Sequence, residues 1–211
     1  MNEQPSFSQN QPSALVGFTE SYSGNPPWEI GKPQPPFVAA ADQVVAPVLD
    51  AGCGTGNTSL FFAARGLQVT GIDFVEEAIR RARAKAAERD LSAEFLVKDA
   101  MTLVDWDRRF ASVIDSGLFH VYSGADRQCY EKGLTHVVKP GGRLFLFSFS
   151  DQVPVGEWHP SGVSRQEMYD AFVDGWEIES LRLVSGEARP EDVDKFPKGD
   201  WMWFAIIRRN A

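Results

Sequence analysis

Val48-Leu-Asp-Ala-Gly-Cys-Gly-Thr-Gly56 is the stretch that decides how this chain folds. An apolar run that enters three alternate glycines is a buried strand followed by a turn whose backbone a nucleotide-like ligand can approach closely. It is not a dinucleotide fingerprint. Gly-x-Gly-x-x-Gly would need glycine at Asn57 when counted from Gly52, or at Ser59 when counted from Gly54. A pyrophosphate uses the helix N-terminus itself. A phosphate-free ligand with an amino acid tail needs room above the loop and a carboxylate near its amine, and Asp50 offers that carboxylate.

The acid followed by Gly52, Cys53, Gly54 and Gly56 resembles the first motif of the class I S-adenosylmethionine (SAM) dependent methyltransferases, and four further segments keep that family's order and spacing. Leu67 to Asp73 is a second short strand whose terminal acid falls where a ribose would be held. Asp73 also suits the cap of a helix over Val75 to Arg89, and both roles can hold together; Phe74 would cover one face of the adenine. A third strand, Phe95 to Val97, runs into Asp99, Ala100 and Met101, where the resemblance implies a contact to the adenine amino group and ring. The fourth, Ala111 to Asp115, opens through Ser116 into a loop with Phe119 and His120, which the resemblance places under the methionine portion and facing the acceptor. Lys139-Pro-Gly-Gly-Arg143 ends a helix and starts a buried fifth strand.

Alternating strands and helices imply an α/β, Rossmann-like sheet of seven strands, mostly parallel, with helices on both faces. Helices are expected from Phe37 to Val45, from the glycine loop to Gly66, from Asp126 to Val138, and after Ser164, which with Glu167 forms a capping-box pattern. The first strand is expected at Ala46 to Asp50 and two late strands at Trp176 to Val184 and Trp201 to Arg208, the last antiparallel. Residues 37–211 form the catalytic domain. Residues 1–36 form an N-terminal arm, its first 17 or so residues disordered by composition and the remainder too rich in proline for a continuous helix.

The arm's Pro27-Trp28-Glu-Ile-Gly31 resembles the Trp-x-x-Gly lid of small-molecule enzymes related to the thiopurine, thiol and halide methyltransferases and the bacterial enzymes that act on heterocyclic toxins. That resemblance puts Trp28 near the methyl donor or acceptor. Phe18, Tyr22, Phe119, Tyr122, Asp151, Trp158, His159 and Phe196 are the candidate walls of a pocket for a small, flat molecule. His120 and His159 are the candidate bases, because an ordinary imidazole titrates near neutrality, and His120 is preferred because it follows the fourth strand directly. The expected reaction transfers the SAM methyl to an oxygen, nitrogen or sulfur nucleophile of a small aromatic or heterocyclic acceptor and leaves S-adenosylhomocysteine (SAH). An NAD-linked oxidoreductase and a SAM-binding regulator without chemistry are the rival classes.

A net charge of -8 over 211 residues lacks the basic footprint of nucleic acid binding. The basic cluster Arg80, Arg81, Arg83, Lys85 and Arg89 is interleaved with acids and reads as a solvated helix face. Two cysteines, no metal spacing, no signal segment and no long apolar run point to a cytoplasmic protein without disulfide, metal or membrane partner, acting as a monomer or weak homodimer.

Overall fold

A computed structural model describes residues 12–153, 162–195 and 198–211. The apolar run ahead of the glycines becomes β1 (Val48–Ala51), buried along its whole length. It lies between two parallel neighbours, β2 (Val69–Asp73) and β4 (Phe110–Ser116), while β3 (Glu94–Val97) extends the sheet beyond β2. β5 (Val138–Phe149) pairs parallel with β4, and β7 (Met202–Arg209) inserts antiparallel between β5 and β6 (Trp176–Val184). The order is therefore β3-β2-β1-β4-β5-β7-β6, with the expected antiparallel last strand.

Side chains on a strand point alternately to opposite faces, and the two faces bury separate clusters. Leu144 and Leu146 of β5 with Trp203, Ala205 and Ile207 of β7 meet Tyr130, Leu134 and Met168 on one side. Phe145, Phe147, Phe204 and Ile206 meet Phe37, Ala40 and Phe62 on the other. The helices that supply these partners are α2 (Pro35–Ala39), α3 (Asn57–Ala64), α5 (Gly124–Val137) and α6 (Arg165–Ala171). α4 (Glu76–Glu88) packs Ile79, Ala82 and Ala86 against Leu60 and Phe95. Ser164 closes the expected capping box with Glu167 at the start of α6.

Several boundaries differ from the sequence-based expectation. A helix, α1 (Pro12–Ser21), occupies the end of the segment expected to be disordered, and residues 1–11 lie outside the described residues. The helix expected from Phe37 to Val45 is two short pieces, α2 and a 3₁₀ turn at Ala41–Gln43. Pro35 and Pro36 start the first piece, where their missing N–H groups cost nothing. The Pro-Gly-Gly turn does not precede β5 but lies inside it. Val138 already pairs with Phe110, and the register shifts before Ser112 pairs with Arg143, so Lys139 to Gly142 form an irregularity in the strand. A Cβ on Gly142 would stand 2.8 Å from the Ala111 carbonyl oxygen, which explains the glycine there. Among the described residues no helix is long and apolar enough to cross a membrane.

Candidate active site

β1 leads to β2 on one side and β4 on the other, so the strand order reverses at its carboxyl end, where open α/β sheets form a crevice. A cavity of about 490 Å³ opens there. Its walls include Asp50, Gly52, Cys53 and Gly54 from the glycine loop, Asp73 and Phe74 after β2, Ala100 after β3, and Ser116, His120 and Tyr122 after β4.

The glycine loop is held from beneath by acids. Asp50 is 1% exposed and accepts a 2.6 Å hydrogen bond from the Ser59 hydroxyl. Burial pushes its carboxyl up to about 7, and the charges of Asp115 and Asp73 push the same way. Asp73 accepts from the Gly54 amide at 3.0 Å and from the Val75 amide at 2.9 Å, so one carboxylate ties the loop to the entrance of α4. Burial raises its pKa as well. Gly52, Gly54 and Gly56 all take positive φ. Gly56 is not a cavity wall: a Cβ there would meet the Phe95 ring at 2.8 Å, so this glycine serves helix packing.

Two expected ligand-facing acids build loops instead. Asp99 accepts from the Met101 amide at 2.9 Å and caps the 3₁₀ turn Ala100–Asp105; neither Asp99 nor Met101 lines the cavity, whereas Ala100 and Lys98 do. Asp115 is wholly buried and accepts from the amides of Leu118 and Phe119 and from the Tyr130 hydroxyl at 2.9 Å. It shapes the turn that delivers His120.

The other end of the cavity is formed by that turn, the arm and the connection from β6 to β7, with Ile30, Phe147, Phe149, Gly186, Glu187 and Met202 on its walls. His120 is 8% exposed, and its Nδ1 faces the Phe149 amide at 3.4 Å. Burial, with the nearby Arg127 charge, pushes its pKa down to about 3, far from the neutral range expected of a base. Phe119, one residue earlier, is a core residue packed on Tyr130 and Phe172 and not a pocket wall. Asp151 is exposed, and its backbone joins Val163 outside the cavity. Trp158, His159 and Phe196 lie outside the described residues.

The arm covers the glycine loop. The Trp28 indole N–H donates to the Tyr22 hydroxyl at 3.1 Å, and Phe18 meets Trp28 and Phe74 edge-on. The Tyr22 hydroxyl stands 2.7 Å from where a Cβ on Gly54 would be, so this glycine admits the arm. Three ties fasten it. Glu29 accepts from Thr55, Asn57 and Lys85. Arg81 donates to the carbonyls of Tyr22 and Gly24, and Gln34 exchanges two hydrogen bonds with the Glu187 backbone. Sequence reasoning missed Glu29, although it stands inside the Trp28 to Gly31 motif. It also misassigned Arg81, Arg83 and Lys85 to a solvated face: Arg83 donates to the Phe95 carbonyl, and the other two hold the arm.

The buried carboxylates of Asp50 and Asp73 on the crevice wall suit a cationic ligand. Comparison with known proteins agrees. Residues 48–142 match the family described as a methyltransferase domain. The 2-heptyl-1-hydroxyquinolin-4(1H)-one methyltransferase of Mycobacteroides abscessus is 34% identical over 196 residues, 91% of this chain and 85% of that protein. The chain belongs to the class I SAM-dependent methyltransferases. A chain solved in a study of the conversion of a disulfide bond into a thioacetal group during echinomycin biosynthesis is 33% identical. It has a TM-score of 0.78, and the match covers 96% of this chain and 92% of that one. The 1,6-didemethyltoxoflavin N1-methyltransferase of Burkholderia thailandensis, solved with its substrate and SAH, shares the fold at a TM-score of 0.69 and 18% identity. That match covers 100% of this chain and 93% of that one. The cofactor of this methyltransferase is SAM, which settles the choice against an NAD-linked oxidoreductase.

Proposed function

We propose that this methyltransferase transfers the SAM methyl group to an oxygen, nitrogen or sulfur nucleophile of a small aromatic or heterocyclic molecule. The observation that carries the reading is one continuous cavity with Asp50 and Asp73 at one end and His120, Phe149 and Met202 at the other, roofed by Trp28. Its volume suits a cofactor and a flat acceptor together and leaves no room for a macromolecular substrate to be enclosed. The N-hydroxyquinolone named in the Mycobacteroides relative has the same character.

Bound SAM supplies an electrophilic methyl carbon on a sulfonium. In our assignment Asp50 stands toward the amine of the cofactor, Asp73 accepts from the ribose hydroxyls, and Phe74 with Ala100 borders the adenine. Asp99 and Met101 act on that edge through the turn they build, and Cys53 and Ser116 contribute backbone and small side chains to the walls. The chain's remaining contribution is alignment and exclusion of water by the arm, an effect able to supply ~7 to 11 kcal/mol when reacting groups are held near contact. Trp28, Phe18, Tyr22 and Tyr122 enclose the acceptor in this reading.

The test is calorimetry with SAM, SAH and NADH, followed by SAH release across phenols, quinolones, thiols and halides. Tight SAH binding with turnover on flat aromatic acceptors is expected. SAM binding with no turnover on any of the panel would make the protein a SAM-binding regulator.

A further inference from the structure

Among the described residues His120 is the only histidine on the cavity wall, and it is 8% exposed. Its Nδ1 lies 3.4 Å from the Phe149 amide, which can only donate, so Nδ1 accepts. A neutral imidazole with Nδ1 accepting carries its proton on Nε2. For Nε2 to remove a proton it would have to be bare, which would turn an Nδ1–H against the Phe149 N–H. Among the described residues nothing pairs with Nε2, and a buried donor without a protein partner points to a ligand.

The charges packed around the imidazole agree. Arg127 of α5 approaches it and is tied to the Tyr122 carbonyl and to Glu167 of α6. Asp115, at the end of β4, is spent on Leu118, Phe119 and Tyr130. On the facing walls Lys32 is paired with Glu187 at 2.6 Å, and Asp192 with Arg189. The groups that face the imidazole therefore leave Arg127 as the nearby charge that opposes its protonation.

We propose that His120 binds the acceptor as an oxygen anion by donating from Nε2, and does not act as a base. The proposal rests on the methyl-transfer reading above. The acceptor, an acidic phenol or N-hydroxy heterocycle, loses its proton to solvent before it enters. Its oxygen lone pair then forms the O–CH₃ bond while the C–S bond breaks and its electron pair returns to sulfur. Anion and sulfonium become neutral ether and thioether, so no proton is stranded in the closed cavity, and burying the two opposite charges together favours the step.

The experiment pairs spectroscopy with kinetics, using the full chain and a series of ring-substituted 1-hydroxyquinolin-4-ones of graded acidity. With SAH present, the absorbance of the bound compound should be that of the anion at pH values where the free compound is still neutral. The pH limb of kcat/KM should move with the acidity of the compound. His120→Ala should weaken binding and lower kcat/KM by ~10- to 100-fold, the loss expected for a charge-assisted hydrogen bond, without moving the limb. His120→Gln, a donor that is not a base, should recover much of that loss. A limb fixed near the ordinary imidazole value for every compound and abolished by His120→Ala, or a bound spectrum of the neutral acceptor, would overturn the proposal. SAH binding by calorimetry with no acceptor bound or methylated would instead overturn the methyl-transfer reading, and this inference with it.

Discussion

The two ends of one cavity, which we assign to the cofactor and to the acceptor, are built on different principles. At the cofactor end, Asp50 and Asp73 leave the carboxyl ends of neighbouring parallel strands, and their positions follow from strand register. At the acceptor end, walls come from an arm at the beginning of the chain, a turn after β4 and the connection between β6 and β7, held together by side-chain ties such as Gln34 to Glu187. A sheet imposes its geometry through many backbone bonds, whereas ties between distant segments are few and individually weak. Substitutions at the first end should cost stability and cofactor affinity together, and those at the second should separate them.

Asp73→Ala is the harshest test of that division. It removes the acceptor for two backbone amides, Gly54 and Val75. A buried donor left unpaired costs ~1 to 3 kcal/mol, so the variant should melt at least ~4 °C lower in calorimetry for a chain of this size. SAH affinity should fall by more than ~100-fold, the combined effect of the disordered loop and the loss of the acceptor we assign to the ribose. A variant that melts normally and still binds SAH would show that the loop does not depend on this carboxylate.

Glu29→Ala should act on the other side. It removes the group on which Thr55, Asn57 and Lys85 converge, while Lys85 keeps its bonds to Thr55 and Asn57. The melting temperature should hold within ~2 °C, whereas the acceptor KM should rise ~10-fold, the effect of a charged hydrogen bond. Hydrogen exchange should quicken at the amides of residues 18–32 and stay unchanged on β1 and β4. Equal quickening on the strands would mean that the latch belongs to the core.

How much of this was legible depends on the range of the forces involved. The glycine loop, Asp73, the capping box at Ser164 and the antiparallel last strand follow from local pattern, and the structure reproduces them. The strand-end acids Asp99 and Asp115 looked equivalent to Asp73 in sequence, and all three accept from amides that follow, but of the three only Asp73 lines the cavity, a difference of tertiary placement that no local pattern reveals. Phe119 and His120 are neighbours with opposite fates because the chain makes a 3₁₀ turn there, which strand alternation cannot anticipate. Periodicity placed Arg81 on the face of α4 away from the apolar stripe, but nothing local reveals that a carbonyl 59 residues earlier lies over it.

The two ends should also differ in their response to pH. Asp50 is raised to about 7 and Asp115 to about 6, both chiefly by burial. A carboxyl raised on folding binds more protons in the folded than in the unfolded chain, so its contribution to stability is greatest below the ordinary carboxylate range. That contribution is lost as pH rises through ~4 to 7. The SAM-free protein should therefore lose melting temperature across that interval. With Asp50 toward the SAM amine as we propose, binding of the cation draws on the ionised carboxylate, so SAM affinity should climb ~10-fold from pH 6 to 8, and Asp50→Asn should flatten the climb. An affinity in the native chain that does not change with pH would mean that Asp50 is not titrated by the donor.

The smallest effect belongs to the outermost tie. Gln34 donates from Nε2 to the Glu187 carbonyl at 2.9 Å and accepts from the Glu187 amide at 2.8 Å, fixing the arm against the acceptor wall at Gly186 and Glu187. The site is partly open, so water replaces much of what Gln34→Ala removes, and each bond is worth ~1 kcal/mol or less. Lys32 still pairs with Glu187 in the variant. We expect a two- to fivefold rise in acceptor KM, about the effect of one such bond, with SAH affinity and melting temperature unchanged within error. The contrast with Glu29→Ala is the informative part. Glu29 anchors the arm at its base on Thr55 and Asn57, so its loss frees more of the arm, whereas Gln34 ties only the stretch beside Gly186 and Glu187. If Gln34→Ala weakened SAH binding as much as it raised the acceptor KM, the arm would move as one rigid body over both ends, and the division between them would fail.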